Sequence, residues 1–161
     1  MARRKKKPPP RIIHLSPGAL PTRLVAGTAG RCLVFSDASC LRQGGLAAVF
    51  YASDAAAPQV VTRSVAAAGS NQLELHAALL ALEQAALLFP GMPLALFSDN
   101  RDTVDRLNRA KMLGLAQDPE LARLQPATGM FTVDTEIRWI PGHGSCRGNA
   151  EADRQARQAA S

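Results

Sequence analysis

Apolar positions along this chain fall into two rhythms. Leu33-Val34-Phe35 and Leu94-Ala95-Leu96-Phe97 are short unbroken apolar runs, and each closes on Ser-Asp. Runs of that length fit strands buried on both faces. Strands are expected at about 31–38, 45–53 and 59–67, joined by loops that carry Gly44-Gly45 and then Asp54 with Pro58, which reads as an antiparallel meander. A helical rhythm follows over about 71–88, with Leu75, Leu79, Leu82 and Ala86 as its buried stripe. Asn71 is its expected N-cap, with Glu74 three residues on as an approximate capping box, and Pro90-Gly91 stops it. A strand at about 94–99, helices at about 101–110 and 118–125, a strand at about 134–140 and a helix at about 147–160 complete the pattern. Three strands followed by alternating helices and strands predict a mixed sheet flanked by helices. A right-handed crossover then places the fourth strand beside the first.

That neighbourhood creates a chemical problem. Adjacent strands lie about 4.8 Å apart, so Asp37 and Asp99 would face each other as like charges. One of them must protonate unless a cation sits between them. Glu74 at the start of a helix, and Asp153 early in the last one, can join the same place. His143 stands between, in Trp139-Ile140-Pro141-Gly142-His143-Gly144. Carboxylates are hard oxygen ligands suited to Mg²⁺ or Mn²⁺, and no Cys or His cluster has zinc spacing.

The ordered set resembles the type 1 ribonucleases H, from about Arg31 to Ala160. Phe35-Ser36-Asp37-Ala38-Ser39-Cys40 is similar to the first family motif, Asn71-Gln72-Leu73-Glu74 to the second and Phe97-Ser98-Asp99-Asn100 to the third. Gly142-His143-Gly144 with Asn149 and Asp153 is similar to the fourth. Several positions depart from the family pattern. Ala38 replaces a Gly, Ser70 stands where Asn is frequent, Asn100 replaces a Ser, the loop Leu41–Gly45 is short, and a basic, Trp-bearing handle helix is missing between Asp99 and His143.

The resemblance implies an α/β ribonuclease H-like fold: a five-stranded mixed sheet of order 3-2-1-4-5, with strand 2 antiparallel. It implies endonucleolytic hydrolysis of the RNA strand of RNA–DNA hybrids by two Mg²⁺ or Mn²⁺ ions, leaving 5′-phosphate and 3′-hydroxyl ends. Asp37 would bridge the ions, Glu74 and Asp99 would complete the one that activates water, and Asp153 would hold the one at the leaving group. His143 would transfer a proton or help metal and product leave. Ser39, Cys40, Asn71 and Gln72 would read the hybrid, and Asn149 would shape the His143 loop or cap its helix. A junction resolvase on the same fold and a non-catalytic nucleic-acid-binding module are the alternatives. The Asn71-Gln72 pair and the Gly-His-Gly loop argue against the first, and retention of all four acids against the second.

Charge adds a second element. The chain carries +6 formally, and Arg3, Arg4, Lys5, Lys6, Lys7 and Arg11 supply six positive charges; the remaining 13 basic and 13 acidic residues cancel. Residues 1–30, rich in proline, read as a flexible basic arm that tethers nucleic acid phosphates, and 31–161 as the catalytic domain. Arg101, Arg106, Arg109 and Lys111 either meet phosphates or pair with Asp102 and Asp105. At 47% hydrophobic and 20% charged residues, the composition is that of a globular domain, and a monomer is expected. No apolar run reaches the ~18 residues of a membrane span. Prolines rather than an apolar segment follow the basic start, and the three cysteines lack finger spacing, so a cytoplasmic protein is expected.

Overall fold

A computed structural model describes residues 7–9, 12–127 and 129–161. Five strands form one sheet: β1 (Cys32–Cys40), β2 (Gly44–Tyr51), β3 (Gln59–Val65), β4 (Leu94–Ser98) and β5 (Thr135–Trp139). Its order is β3-β2-β1-β4-β5. β2 runs antiparallel to β1 and β3, whereas β1, β4 and β5 are parallel. The right-handed crossover and the implied order therefore agree with the observed sheet.

Among the described residues five α-helices are seen: α1 (Thr22–Val25), α2 (Ser70–Leu88), α3 (Arg101–Leu113), α4 (Pro119–Leu124) and α5 (Arg147–Ala160). Strand alternation sorts β1 between two cores. Cys32 and Val34 pack with α2, α3 and Leu121 of α4. Leu33 and Phe35 face the other way, into a core that includes Ala152 of α5. Phe35 stacks on Phe97 at 5.2 Å between ring centroids and meets Tyr51 edge-on at 5.7 Å. A Cβ on Gly148 would lie 2.3 Å from the Phe35 ring, so only glycine lets α5 come this close to β1.

Three expectations change. The first is the α2 cap. The helix starts at Ser70, one residue earlier than expected, and extended Gly69 is its cap residue. Asn71 is therefore inside the first turn, and its Oδ1 accepts from Asn100 Nδ2 at 2.9 Å. The second is the α2 stripe: Leu75, Leu79 and Leu82 are buried as expected, but Ala85 rather than Ala86 completes them. Ten residues of α2 are buried, so the helix is apolar on most sides and its inner face is poorly marked.

The third concerns residues 1–30. Ser16, Ala19 and Leu20 are buried, and Leu20 belongs to the core of Phe35 and Val49. Ala19 N–H and Leu20 N–H donate to the Asp54 backbone and side chain at 3.0 and 2.8 Å. The segment from Ser16 onward is thus part of the body, because backbone bonds and one leucine anchor it. Arg3, Arg4, Lys5, Lys6 and Arg11 lie outside the described residues, and Lys7 is exposed.

Helix α5 leans on β2 where a Cβ on Gly45 would fall 2.1 Å from the Ala156 carbonyl oxygen and 2.5 Å from Ala160 N. Backbone cannot yield there as a side-chain tip could. Gly45→Ala should destabilise the fold by about 1–3 kcal/mol, measured by urea unfolding. Gly27→Ala, whose Cβ meets only the Arg138 guanidinium at 3.8 Å, should change stability far less.

Candidate metal centre

Parallel pairing of β1 with β4 runs from Cys32↔Leu94 to Phe35↔Phe97 and stops. β4 ends at Ser98. β1 continues to Cys40, paired there only with β2. Asp37 and Asp99 sit just beyond the last shared pair. Asp37 is therefore inside its strand, not at its C-terminal end. Glu74 arrives from α2, which packs across β1. One carboxylate oxygen each from Asp37, Glu74 and Asp99 lies within 4.8 Å of the others.

Asp37 and Glu74 are buried, at 4% and 7% exposure. Burial first, then the Asp99 charge, pushes the Asp37 carboxyl up to about 7. Burial, then the Asp37 charge, pushes Glu74 up to about 10. Asp99 is also raised, by burial foremost, while a hydrogen bond from the Asn149 side chain and the nearby His143 pull it back. Ala38 N–H donates to Asp37 Oδ1 at 2.9 Å. Glu74 Oε2 is buried without a hydrogen-bond partner among the described residues. Three crowded acids and an orphaned carboxyl oxygen are what a hard divalent cation would satisfy. The residues present fit such an ion.

Asp153 is not within that trio. It stands on α5, accepts from Arg157 Nε at 3.2 Å, and lines a cleft of about 90 Å³ with Asp99, His143 and Asn149. His143 is exposed and has φ +53°, a left-handed backbone that few side chains other than Asn, Asp and His adopt readily. Its neighbour Gly142 approaches Asp99 so closely that a Cβ there would meet Oδ2 at 2.8 Å.

Ser39 is half-buried and Cys40 exposed, on the stretch of β1 beyond Asp37. Asn71 and Gln72 are exposed on the first turn of α2. Asn149 is 3% exposed, so it serves Asp99 from within the protein, and Cys146 rather than Asn149 is the cap residue of α5. Arg106 is committed to Asp118 at 2.9 Å rather than to Asp102 or Asp105. Lys111 donates to the Thr135 carbonyl.

Sequence reading overlooked Trp139. Its Nε1–H donates to the Asp99 carbonyl at 3.1 Å. The Arg101 guanidinium stacks 3.7 Å from its ring centroid, and the ring is 38% exposed. A lone Trp ending a strand four residues before His143 was the available signal.

A mixed sheet in this order, with carboxylates where its two central parallel strands part, is the architecture of the ribonuclease H-like fold. The RNase H family model matches residues 29–161, and the chain belongs to that family. Solved structures agree in fold. LC9-RNase H1, a type 1 RNase H with the type 2 active-site motif, superposes with a TM-score of 0.60 at 17% identity, over 81% of this chain and 72% of that one. RNase H1 from the halophilic archaeon Halobacterium salinarum NRC-1 gives 0.57 at 24% identity, over 81% and 97%. The N-terminal RNase H domain of Rv2228c from Mycobacterium tuberculosis gives 0.58 at 18% identity, over 82% and 94%. No curated protein matches the chain in sequence. Among the described residues, no helix is long and apolar enough to cross a membrane.

The raised carboxyls set a pH dependence. Without metal, Asp37 and Glu74 hold protons more tightly folded than unfolded, where each titrates near about 4. Their contribution is full below that value. It is lost as pH rises through about 7 for Asp37 and about 10 for Glu74. Chelator-treated protein should therefore melt lower at about pH 8 than at about pH 5, and Asp37→Asn should flatten the fall. Saturating Mg²⁺ should reverse the trend, since ligation favours deprotonated acids. Parallel melts with and without metal check the sign.

Proposed function

We propose that this protein hydrolyses the RNA strand of RNA–DNA hybrids, leaving 5′-phosphate and 3′-hydroxyl ends, with two divalent ions as cofactors. The observation that carries this reading is the Asp37–Glu74–Asp99 trio, two of its acids buried and the third half-buried, gathered within 4.8 Å in an RNase H family chain. Asp37, Glu74 and Asp99 would hold the ion on the side of the attacking water, and Asp37 with Asp153 the ion beside the leaving oxygen. Bound there, Mg²⁺ or Mn²⁺ supplies charge neutralisation, an activated water and a stabilised leaving group.

The chain's own residues do the rest. Buried Asn149 lines the cleft beside Asp99 and would steady its carboxylate. Exposed His143, on a loop with glycine at either side, carries a proton to or from the reacting phosphate or departing product. Ser39, Cys40 and Gln72 present donors along one rim, where a 2′-hydroxyl distinguishes RNA from DNA. The Arg101–Trp139 stack adds a cation next to Asp99, whose carbonyl accepts from Trp139. The basic residues Arg3, Arg4, Lys5, Lys6, Lys7 and Arg11 add sequence-independent attraction to phosphates.

The test is cleavage of matched hybrid, duplex DNA and duplex RNA in Mg²⁺ and Mn²⁺, with end analysis of the products. Cutting confined to the RNA of the hybrid is expected. Preferential cutting of branched DNA would make the protein a resolvase, and binding without cutting would make it a binding module. In the same assay Asp37→Asn should abolish hydrolysis while hybrid binding persists. His143→Ala should slow turnover by roughly 10²-fold or less, the range of lost proton-transfer help. Undiminished turnover of Asp37→Asn in saturating Mg²⁺ would overturn the ligand assignment.

Removing residues 1–11 takes away six positive charges without touching the docked segment from Ser16. KM for hybrid should rise, and the slope of log K against log salt should become shallower by about 0.9 for each phosphate that is no longer neutralised. Salt titrations of both forms on one hybrid check this, and identical slopes would assign phosphate binding to the body.

A further inference from the structure

We propose that residues 16–19 form a positioning segment for the active site: they cap helix α5 from outside the helix and so hold Asn149, Asp153 and the His143 loop in register with Asp99. The kinetic part of this rests on the nuclease reading above; the structural part does not.

The first N–H groups of any helix lack partners within it. In α5 the cap residue Cys146 offers no side-chain cap to them. The segment near the start of the chain does so instead. Arg147 N–H donates to Ser16 Oγ at 3.1 Å, and Gly148 N–H donates to the Ala19 carbonyl at 2.9 Å. Cys146 Sγ also donates to the Ala19 carbonyl, at 3.2 Å. Ser16 uses its remaining groups on the same target. Its N–H donates to the Ser145 carbonyl at 2.7 Å, and its own carbonyl accepts from Arg147 Nε at 2.8 Å. The hydroxyl proton goes to the Gly18 carbonyl at 2.7 Å, leaving a lone pair for Arg147 N–H.

The segment is fixed independently of α5. Leu20 is fully buried, and the Asp54 backbone and carboxylate accept from Ala19 and Leu20. Gly18 is pressed so close that a Cβ there would lie 1.8 Å from Asp54 Oδ2. A rigid anchor thus reaches Ser145, two residues after His143, and Gly148, one residue before Asn149. Asn149 lines one cleft with Asp99 and His143, and Asp153, which lines it too, follows one helical turn later. Loosening the cap lets three groups of the site drift together while Asp37 and Glu74 stay in place.

The test uses the full chain with Ser16→Ala, Ser16→Thr and Arg147→Lys. Hydrogen exchange is followed in peptides covering 142–149 and in peptides from β1 and α2. Steady-state cleavage of a hybrid gives kcat and KM. For Ser16→Ala, exchange over 142–149 should quicken roughly two- to thirtyfold, the range implied by a lost cap, with β1 and α2 unchanged. Turnover should fall several-fold at nearly constant KM, and Ser16→Thr, which keeps the hydroxyl, should restore both. Arg147→Lys, which keeps the charge but loses the bond to the Ser16 carbonyl, should shift exchange and kcat in the same direction, and it carries the comparison if Ser16→Ala does not fold. Unchanged exchange over 142–149, or quicker exchange there with kcat intact, would overturn the proposal. So would a uniform quickening across β1 and α2, which marks a merely structural role. If the unaltered protein cuts no hybrid, the nuclease reading fails, and the exchange comparison still decides whether the cap holds the loop.

Discussion

Like charges crowded at the point where two strands part are the constraint around which this protein is organised. Unit charges within 4.8 Å of one another would repel by an energy on the order of 3 kcal/mol or more at an effective dielectric of about 20. Protonation or a bound cation relieves that repulsion, and each carboxyl is held in place by an element that cannot move alone. Asp37 is held by β1, which is paired with β2 from Leu33 to Cys40. Asp99 follows β4, whose Ser98 Oγ accepts from Asn100 N–H at 3.1 Å and so sets the turn into α3. Glu74 rides on a helix buried on most sides. The stacked Phe35 and Phe97 rings, at the last pair before the strands part, keep the two aspartates at a common level.

Much of this was legible in the sequence, for a physical reason. Strands buried on both faces are unbroken apolar runs, and a right-handed crossover sets the fourth strand beside the first, so that neighbourhood followed from the pattern, while the full order followed from the family resemblance. The proximity of the three acids followed too, because two apolar runs each close on Ser-Asp and Glu74 opens a helical run, although Asp37 proved to be inside its strand and not at its end. What escaped depended on interactions without periodicity. Ser16 to Leu20 has no repeating pattern, and its anchorage is mostly backbone bonds that any sequence can make. The α2 cap was misplaced because Gly69 carries no side-chain oxygen to announce it, while Asn71 carries one and uses it on Asn100. Asp153 was placed on the right helix, but spacing along a helix gives direction and not distance across a cleft.

Helix α5 is secured at both ends by groups distant in sequence. At its start stand Ser16 and Ala19. At its end, Arg42 and Gln43 N–H groups donate to the Ala160 carbonyl at 3.1 and 3.2 Å, and Gln43 Nε2 and Ser64 Oγ donate to the Ala159 carbonyl. Gly45 and Gly148 let its shaft lie flush on the sheet. The helix is polar on its outer side, with Arg154 paired to Glu151 and Arg157 to Asp153. Its placement therefore comes from its ends and its two glycine approaches more than from a broad apolar stripe.

The bond from Arg147 to Ser16 spans 131 residues, and that separation has a consequence for how the molecule comes into being. Pairings of such long range are slow to form, since the chain between them must be ordered first. On a ribosome, β1 to β5 can emerge and pair before α5 exists. The three crowded acids are then assembled while the helix that brings Asn149 and Asp153 is still unmade. The acid cluster and the α5 residues beside it, Asn149 and Asp153, therefore depend on different pairings, the first on neighbouring strands and the second on a closure of long range.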